Sequence, residues 1–191
     1  MTKTVLLLGS GPSAETCQAW ARDPFDRIVA INNAWRLRRD WDDLVYPYDF
    51  PPERMPPNPT PAQRLIDECD FVPAQNAFGG FVYGGATMAF TATYWALTAL
   101  RPRVIAYLGC DMVYPKTGRT HFYGEGTADP LRPDISLRCL EAKSARAQAY
   151  AACQGCALVN LSQGESRLVF PRADRGALAM QRPAPLNARA M

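Results

Sequence analysis

The chain has 191 residues, of which 48% are hydrophobic and 20% are charged, and its formal net charge is +3. A chain of this length forms one compact domain with a full core and needs no disulfides. The small positive charge argues against a nucleic-acid partner. The longest apolar stretch, Ala86–Leu100, is interrupted by threonines and is too short to cross a bilayer. The opening apolar run, Val5–Leu8, is too short for a secretion signal, so we expect a cytoplasmic protein.

The six cysteines are scattered along the chain, and we interpret them as reduced, partly buried thiols. Cys153 and Cys156 form a C-x-x-C pair, but zinc would need two further ligands at suitable spacing. A thioredoxin-type pair opens a helix after a strand, whereas this pair closes a predicted helix. The sequence therefore predicts neither a zinc site nor a redox centre at this pair.

Strand and helix signals alternate along the first half of the chain, which predicts an α/β domain with a mostly parallel sheet. Apolar runs predict strands at Thr4–Leu8 and Arg27–Ile31, and a weaker strand at Asp43–Tyr48. A helix is predicted over Pro12–Arg22, since proline is tolerated in a first turn. The prolines of Asp49–Pro61 predict an extended loop.

The same alternation continues in the second half of the chain, which makes a single three-layer domain over residues 1–170 the simplest organisation. Residues 113–134 read as a lid loop, because long loops in compact domains are often functional. The arginine- and proline-rich residues 171–191 read as a flexible or lid-like tail. The predicted elements are helix 62–69, strand 70–74, helix Ala86–Leu100, strand Arg103–Met112, helix Ile135–Cys153 and strand Ala157–Ser162.

A glycine pattern follows the first predicted strand directly and leads into a helix. It matches G-x-G-x-x-G/A, in which glycines allow a tight turn and a close approach of phosphate to the backbone. The helix N-terminus would add free N–H groups and a positive dipole end. The alternative is a strand–helix turn without a ligand. The candidate nucleotide-binding residues are Gly9, Ser10, Gly11, Pro12 and Ser13.

The nature of the nucleotide depends on the end of the second strand, where Asn32 and Asn33 stand. Enzymes that use NAD usually place Asp or Glu there to hold the ribose hydroxyls, so two neutral amides weaken that interpretation. An asparagine can donate to a phosphate or accept from a sugar hydroxyl. No P-loop motif and no G-x-S-x-G motif is present, which argues against a P-loop ATPase and a serine-hydrolase elbow.

Two further positions follow predicted strands or precede a predicted helix. Gly84 and Gly85 come just before the helix that carries Thr87 in its first turn, and could let a flat ring lie on the backbone. Close packing of that helix on the sheet explains the glycines equally well. Asp111 ends a buried strand, where it could hold Mg²⁺, orient a hydroxyl or simply brace the loop.

The sole histidine, His121, lies in the predicted lid loop together with Tyr114, Tyr123 and Glu125. Imidazole titrates near neutral pH and serves as a general acid or base. Tyrosine hydroxyls can donate hydrogen bonds to a departing phosphate. The alternative interpretation of His121 is a solvated loop residue without a catalytic role.

The order of these motifs resembles two related groups of proteins over about Thr4–Ser162. The stretches "LLLGSGPS", "AINNA", "GGATMAF" and "YLGCDM", followed by a histidine-bearing loop, resemble the DUF115 group, which includes the 6-hydroxymethylpterin diphosphokinase MptE-like proteins. They also resemble the bacterial sialyltransferases of glycosyltransferase family 42. The resemblance implies a Rossmann-like domain that binds a nucleotide at Gly9–Ser13, Asn32 and Asn33.

The sialyltransferase resemblance implies a CMP-sugar donor, a hydroxyl-bearing acceptor and no metal or tightly bound cofactor. It implies that Tyr114 and Tyr123 hold the leaving phosphate and that a loop histidine takes the acceptor's proton. In that family the histidine is expected close to the next helix, which here leaves both His121 and Glu125 as candidates for the base.

The diphosphokinase resemblance implies Mg-ATP instead, with Asp111 as the metal ligand. A third hypothesis is a non-catalytic accessory or binding protein, for example a phage-derived one, that keeps the sheet without the reaction. The sequence leaves homo-oligomer formation open.

Overall fold

The computed structural model describes residues 4–79, 87–114, 118–125 and 139–179. It contains a single sheet of six parallel strands, flanked by helices on both faces. The strands are β1 (Thr4–Leu8), β2 (Arg27–Ile31), β3 (Asp43–Val45), β4 (Arg64–Ile66), β5 (Val104–Leu108) and β6 (Ala157–Asn160). The α-helices are α1 (Glu68–Ala77), α2 (Met88–Ala99) and α3 (Leu140–Cys153). Shorter 3₁₀ helices span Pro12–Ala19, Asn32–Leu37, Pro52–Arg54 and Arg175–Ala179. The predicted α/β class with a parallel sheet is therefore confirmed.

The two faces of the sheet carry separate hydrophobic cores, as the continuous apolar run of β1 predicts. Val5 and Leu7 face the core formed with α1, α2 and α3. Leu6 and Leu8 face the core formed with the 3₁₀ helices at Pro12–Ala19 and Asn32–Leu37. All four side chains are fully buried. Among the described residues, no helix is both long enough and apolar enough to cross a bilayer.

The strand order is β4-β3-β2-β1-β5-β6, so the winding of the chain reverses between β1 and β5. These two strands pair in register from Thr4 opposite Val104 to Leu8 opposite Leu108. In open α/β sheets the loops that leave the carboxyl ends of such a strand pair diverge and leave a crevice for ligands. The fold therefore places the candidate site beside the loops that follow β1, β2 and β5.

The region between β3 and α1 differs from the prediction of helix 62–69 followed by strand 70–74. Arg64–Ile66 pairs with β3 as a strand, because Arg64 Nε donates to the fully buried carboxylate of Asp43 at 2.7 Å. Asp67 then caps α1 by accepting from the Cys69 backbone N–H at 2.9 Å. This cap and tertiary packing support a helix around Pro73, a residue that by itself disfavours one.

Other element boundaries are shorter than predicted. The helix after β1 is a 3₁₀ helix that ends at Ala19, and β3 ends at Val45. The strand predicted to reach Met112 ends at Leu108, because Gly109 and Met112 take φ angles of 71° and 57°. The strand predicted to reach Ser162 ends at Asn160. Helix α3 is described from Leu140, and the first part of its predicted span lies outside the described residues.

The first residues of the predicted tail pack on the sheet domain. Ala173 and Leu178 are buried in the core that contains Leu6 and Leu8. The Ala173 backbone N–H donates to the Asn160 carbonyl at 3.0 Å, directly after β6. The folded part of the chain therefore extends beyond residue 170, and residues 180–191 lie outside the described residues.

Candidate functional site

A cleft of about 490 Å³ opens at the carboxyl ends of the strands, beside the β1–β5 pair. Three strand-end loops, the start of α2 and the histidine segment 118–125 form its walls. The proline-rich loop after β3 closes one side. The side chains or backbone of the following residues, among others, line the cleft: Ser10, Gly11, Pro12, Asn32, Asn33, Phe50, Arg54, Thr87, Asp111, Tyr114, His121, Tyr123 and Arg167. The fold thus brings most of the predicted site residues to one cavity.

The glycine loop after β1 packs closely against the end of β5 and the loop that follows it. The backbone N–H groups of Gly9 and Gly11 donate to the carbonyls of Leu108 and Gly109, both at 2.8 Å. A Cβ atom on Gly9 would lie 2.6 Å from Cys110 Sγ and even closer to the Gly109 carbonyl oxygen. These glycines therefore allow two backbones to cross closely, and their amides are committed to that crossing.

The serines of the glycine loop have different positions. Ser10 lines the cleft, and its carbonyl accepts from the Phe122 backbone N–H at 2.9 Å. Ser13 does not line the cleft, although it was predicted to bind nucleotide. Its hydroxyl donates to Asp111 Oδ2 at 2.9 Å and lies 3.1 Å from Ser162 Oγ. Ser13 is therefore a brace behind the cleft wall.

Three polar atoms on the cleft wall are buried and have no hydrogen-bond partner among the described residues: Asn32 Oδ1, Asn33 Oδ1 and Thr87 Oγ1. The Asn33 side chain belongs to a residue that is only 5% exposed. Asn32 also has a φ angle of 52°, a conformation that side-chain-bearing residues seldom adopt. Leaving a buried polar atom unpaired costs about 1–3 kcal/mol, so these three atoms are suited to form hydrogen bonds with a ligand or with water in the cleft.

Helix α2 points its N-terminus at the same cavity. Thr87 is its N-cap residue, but the Thr87 side chain makes no capping hydrogen bond. Met88 and Ala89, the first residues of the helix, also line the cleft. A helix of twelve residues carries a positive partial charge at this end, which favours anionic groups. Gly84 and Gly85, predicted to contribute here, lie outside the described residues.

Asp111 lines the cleft but is held from behind. Its Oδ2 accepts from Ser13, and its Oδ1 lies 3.5 Å from Asn160 Nδ2. Its carbonyl accepts from the Arg167 backbone N–H at 2.9 Å. No group of three or more His, Cys, Asp or Glu side chains in the described part of the chain could hold a metal ion. Asp111 therefore acts in this structure as a brace between the loops after β1, β5 and β6.

The histidine segment lies over the glycine loop. His121 Nδ1 and Thr120 Oγ1 are hydrogen-bonded at 2.8 Å, and the imidazole stacks on the Tyr123 ring with centroids 4.9 Å apart. Arg119 ties this segment to the 3₁₀ helix after β1 through an ion pair with Glu15, and its side chain also donates to the His121 and Phe122 carbonyls. His121 and its stacking partner both face the cleft.

The remaining predicted catalytic residues divide into two groups. Tyr114 and Tyr123 line the cleft and are 46% and 41% exposed, so a ligand could reach them. Glu125 is exposed and does not line the cleft. Of the two candidates for a base, His121 is therefore the one whose side chain is placed beside the cavity.

Among the cleft residues that were not predicted from the sequence are Phe50 and Arg54. Both belong to the proline-rich loop after β3, which we interpreted only as an extended connection. The available signal was an arginine inside a rigid proline-rich segment that follows a strand of a parallel sheet. The composition of the chain gave no reason to expect the charge of Arg54 at the carboxyl edge of the sheet.

The cysteines show no sign of a reactive thiol at the cleft. Cys110 lines the cavity, but burial raises the pKa of its thiol far above the usual range and keeps it protonated. In the C-x-x-C pair, Cys153 is exposed at the end of α3, and burial raises the pKa of Cys156 to about 12. The Cys156 thiol therefore stays protonated at neutral pH.

Comparison with known proteins gives one strong structural similarity. No family model matches the sequence, and no curated protein matches it, so the resemblance to the DUF115 and MptE-like proteins gains no support. A solved structure of the sialyltransferase CstII from Campylobacter jejuni, in complex with the substrate analogue CMP-3FNeuAc, superimposes with a TM-score of 0.56 at 14% sequence identity. The match covers 100% of this chain and 90% of that chain. The protein therefore shares its Rossmann-like α/β fold with that structure, and its cleft lies at the switch point of the sheet.

Proposed function

We propose that the protein is a glycosyltransferase that moves a sugar from a CMP-type nucleotide-sugar donor to a hydroxyl-bearing acceptor. The observation that carries this proposal is the convergence of three buried, unpartnered polar atoms in a cleft that also contains His121 and two tyrosines. The fold shared with a sialyltransferase crystallised with a CMP-sugar analogue supports the choice of donor.

The unpartnered atoms suit a nucleoside better than a purely apolar ligand. Asn32 Oδ1 and Asn33 Oδ1 accept hydrogen bonds, and Thr87 Oγ1 can accept or donate. A cytosine amino group and the ribose hydroxyls supply donors for such acceptors. Each pair formed inside a desolvated cleft removes a penalty of about 1–3 kcal/mol that the empty protein carries. These residues would therefore bind and orient the donor.

In the proposed reaction His121 is the general base. It accepts the proton of the acceptor hydroxyl while that oxygen forms a bond to the anomeric carbon of the donor sugar. The bond from the anomeric carbon to the phosphate oxygen breaks, and its electron pair leaves with the nucleoside monophosphate. Tyr114 and Tyr123 would donate hydrogen bonds to the departing phosphate. The stack of His121 on Tyr123 and its contact with Thr120 hold the ring against the cleft.

Separate replacement of His121 and Glu125 tests the assignment of the base. His121→Asn should lower kcat by about 10²–10⁴-fold, the usual contribution of general base catalysis. Glu125→Gln is the matched control from the same segment and should stay within about threefold of the parent. Equal turnover in the parent and His121→Asn would refute the assignment, and a loss confined to Glu125→Gln would move the base to that residue.

A thermal-shift screen tests the class of donor before any acceptor is known. Cytidine, uridine, guanosine and adenosine nucleotides would be compared, each with and without Mg²⁺. Ligand at about 100 times its Kd stabilises the folded state by about 2.7 kcal/mol, which corresponds to roughly 5–10 °C for this chain length. A metal-independent shift specific to cytidine nucleotides supports the proposal. No shift with any of these nucleotides would contradict the proposal and favour the accessory-protein hypothesis.

The Mg-ATP diphosphokinase remains the alternative enzyme, and Asp111 is the residue on which it depends. The Asp111 carboxylate is braced by Ser13 and Asn160, and the described residues hold no cluster of potential metal ligands beside it. Asp111→Asn should abolish magnesium-dependent ATP binding if the alternative is right. Unchanged Mg-ATP binding in that variant would remove the alternative.

A further inference from the structure

Arg54 is a cationic side chain of the cleft that the reaction described above does not use. It is half-buried, lines the cavity and has no carboxylate partner within ion-pair distance in the described part of the chain. Arginine in a partly closed cavity is normally paired, because its guanidinium stays charged at any accessible pH. An arginine without a carboxylate partner among the described residues of a cleft is therefore suited to bind an anionic ligand.

The other charged side chains of the cleft already have partners. Arg167 is neutralised by Glu141 through two hydrogen bonds, at 2.6 Å and 2.9 Å. Asp111 accepts from Ser13. Neither Asp111 nor Glu141 forms an ion pair with Arg54. The positive charge of Arg54 is thus available to a ligand, whereas that of Arg167 is committed to α3.

The backbone of Arg54 is fixed relative to the asparagine pair. Pro51 and Pro52 restrict the turn before it, and the Arg54 backbone N–H donates to the Pro51 carbonyl at 2.9 Å. The Arg54 carbonyl accepts from Trp35 Nε1 at 3.0 Å. Trp35 belongs to the 3₁₀ helix that begins at Asn32, so a single short element positions both the unpartnered amides and the arginine.

We propose that Arg54 is an anion-binding and specificity-determining residue of this cleft. Its guanidinium would bind two oxygens of one anionic group of the ligand, either the phosphate of the nucleotide or the carboxylate of an acidic sugar. The choice between the phosphate and the carboxylate rests on the proposed function. The inference that Arg54 binds an anion does not depend on it. The protein therefore selects ligands that carry a negative charge on the side of the cleft nearest β2 and β3.

The direct test is the NMR signal of the Arg54 Nε–H group, identified by its loss in Arg54→Gln. Sodium phosphate and N-acetylneuraminate are titrated separately into the parent protein at constant ionic strength. A saturable shift of this signal with phosphate, with the carboxylate or with both supports the inference and names the group. A chemical shift that changes linearly with both anions without saturation, or that does not change at all, overturns the inference.

Calorimetry with CMP and cytidine links Arg54 to the nucleotide site. If Arg54 binds the phosphate, Arg54→Gln should weaken CMP binding by about tenfold or more and leave cytidine binding unchanged, because a charge-assisted pair is worth about 1.5–3 kcal/mol. Arg54→Lys keeps the charge without the planar fork and should lie between the parent and Arg54→Gln. If Arg54 binds the carboxylate, the same loss appears only with N-acetylneuraminate. Identical affinities of Arg54→Gln and the parent for all three probes contradict both assignments.

Arg36→Gln is the matched control, because Arg36 is exposed, stacks over the same Trp35 ring and does not line the cleft. It removes an equal charge from the same neighbourhood, so a loss of CMP affinity in Arg36→Gln equal to that in Arg54→Gln would overturn the inference. If the parent binds phosphate at the Arg54 signal but binds no nucleotide, the proposed function fails while the anion site stands.

Discussion

The glycine loop after β1 and the asparagine pair after β2 lie at the same edge of the sheet, yet their hydrogen-bonding groups are used in opposite ways. The Gly9 and Gly11 amides donate to the Leu108 and Gly109 carbonyls at the end of β5 and leave no room for a side chain. Asn32 and Asn33 keep buried acceptors without partners. The conspicuous motif thus joins two strands, and the less conspicuous pair lines the cleft with unpartnered acceptors.

The glycine loop thus contributes to the stability of the fold, whereas the asparagine pair is the part that we propose binds a ligand. A group whose hydrogen bonds are satisfied internally contributes to folding, and a buried group that lacks a partner costs stability until a ligand arrives. Single substitutions test that division and can be ranked by the size of the expected effect.

Gly9→Ala should have the largest effect on folding. Its new Cβ would meet Cys110 Sγ and the Gly109 carbonyl, so the β1–β5 crossing must open. We expect a loss of about 3 kcal/mol in the free energy of unfolding and a Tm lower by roughly 6–12 °C. Gly164→Ala is the control, since a Cβ there meets nothing within 4 Å. Denaturant titration measures both, and an unaffected Gly9→Ala would show that the crossing is not tight.

Asn33→Ala should weaken CMP binding by about tenfold while it changes the free energy of unfolding by less than about 1 kcal/mol. The matched control is Asn160→Ala, which removes another buried asparagine. Asn160 is 1% exposed, but its amide accepts from the Ser162 backbone N–H at 2.9 Å and donates to Ser166 Oγ at 3.1 Å. We expect Asn160→Ala to lose about 1–3 kcal/mol of stability. Equal stability losses in the two variants would contradict the division.

Arg119→Gln should loosen the histidine segment without unfolding the sheet. The Arg119–Glu15 ion pair joins side chains that are 47% and 43% exposed, so we expect an effect of only about 1 kcal/mol or less. Hydrogen exchange of the Phe122 amide, which donates to Ser10, should become up to about fivefold faster. The exposed Arg103→Gln is the control. Unchanged exchange in Arg119→Gln would mean that Arg119 does not hold the segment.

The smallest effect concerns acid stability. Hydrogen bonds from Arg167 lower the pKa of Glu141 from 4.5 to about 2. A carboxyl group with a lowered pKa contributes stability above its unfolded value and loses that contribution as the pH falls. The difference in Tm between the parent and Glu141→Gln should therefore be constant above about pH 5 and shrink between pH 4.5 and 2. A difference that is independent of pH would exclude this pair as its source.

The sequence predicted the sheet well because buried parallel strands are continuous apolar runs. Thr4–Leu8 and Arg27–Ile31 were predicted with the bounds that the structure gives them. The order of strand Arg64–Ile66 and helix α1 was wrong, because the strand depends on the pairing of Arg64 with Asp43, a contact between elements that no local pattern reveals. The shortened end of β5 depends similarly on the left-handed conformations of Gly109 and Met112.

The site was predictable in outline for a topological reason. Parallel strands bring their carboxyl ends to one edge, so residues that directly follow a strand, such as Asn32, Asn33 and Asp111, lie together there. The sequence could not show that Ser13 braces Asp111 from behind, because a hydroxyl looks the same in either role. It also could not show which glycine amides were free, since that depends on the loop after β5.

The strand order has a further consequence for how the chain could be divided into two fragments. Residues 4–79 supply β1–β4 with the asparagine pair and Arg54, and residues 87–179 supply β5 and β6 with Thr87, Asp111 and His121. Within the sheet these halves meet only where β1 pairs with β5. A ligand in the cleft would touch both halves. Two fragments cut between Gly79 and Thr87 should therefore reassemble more readily when the ligand is present, which makes the chain a natural candidate for a split reporter.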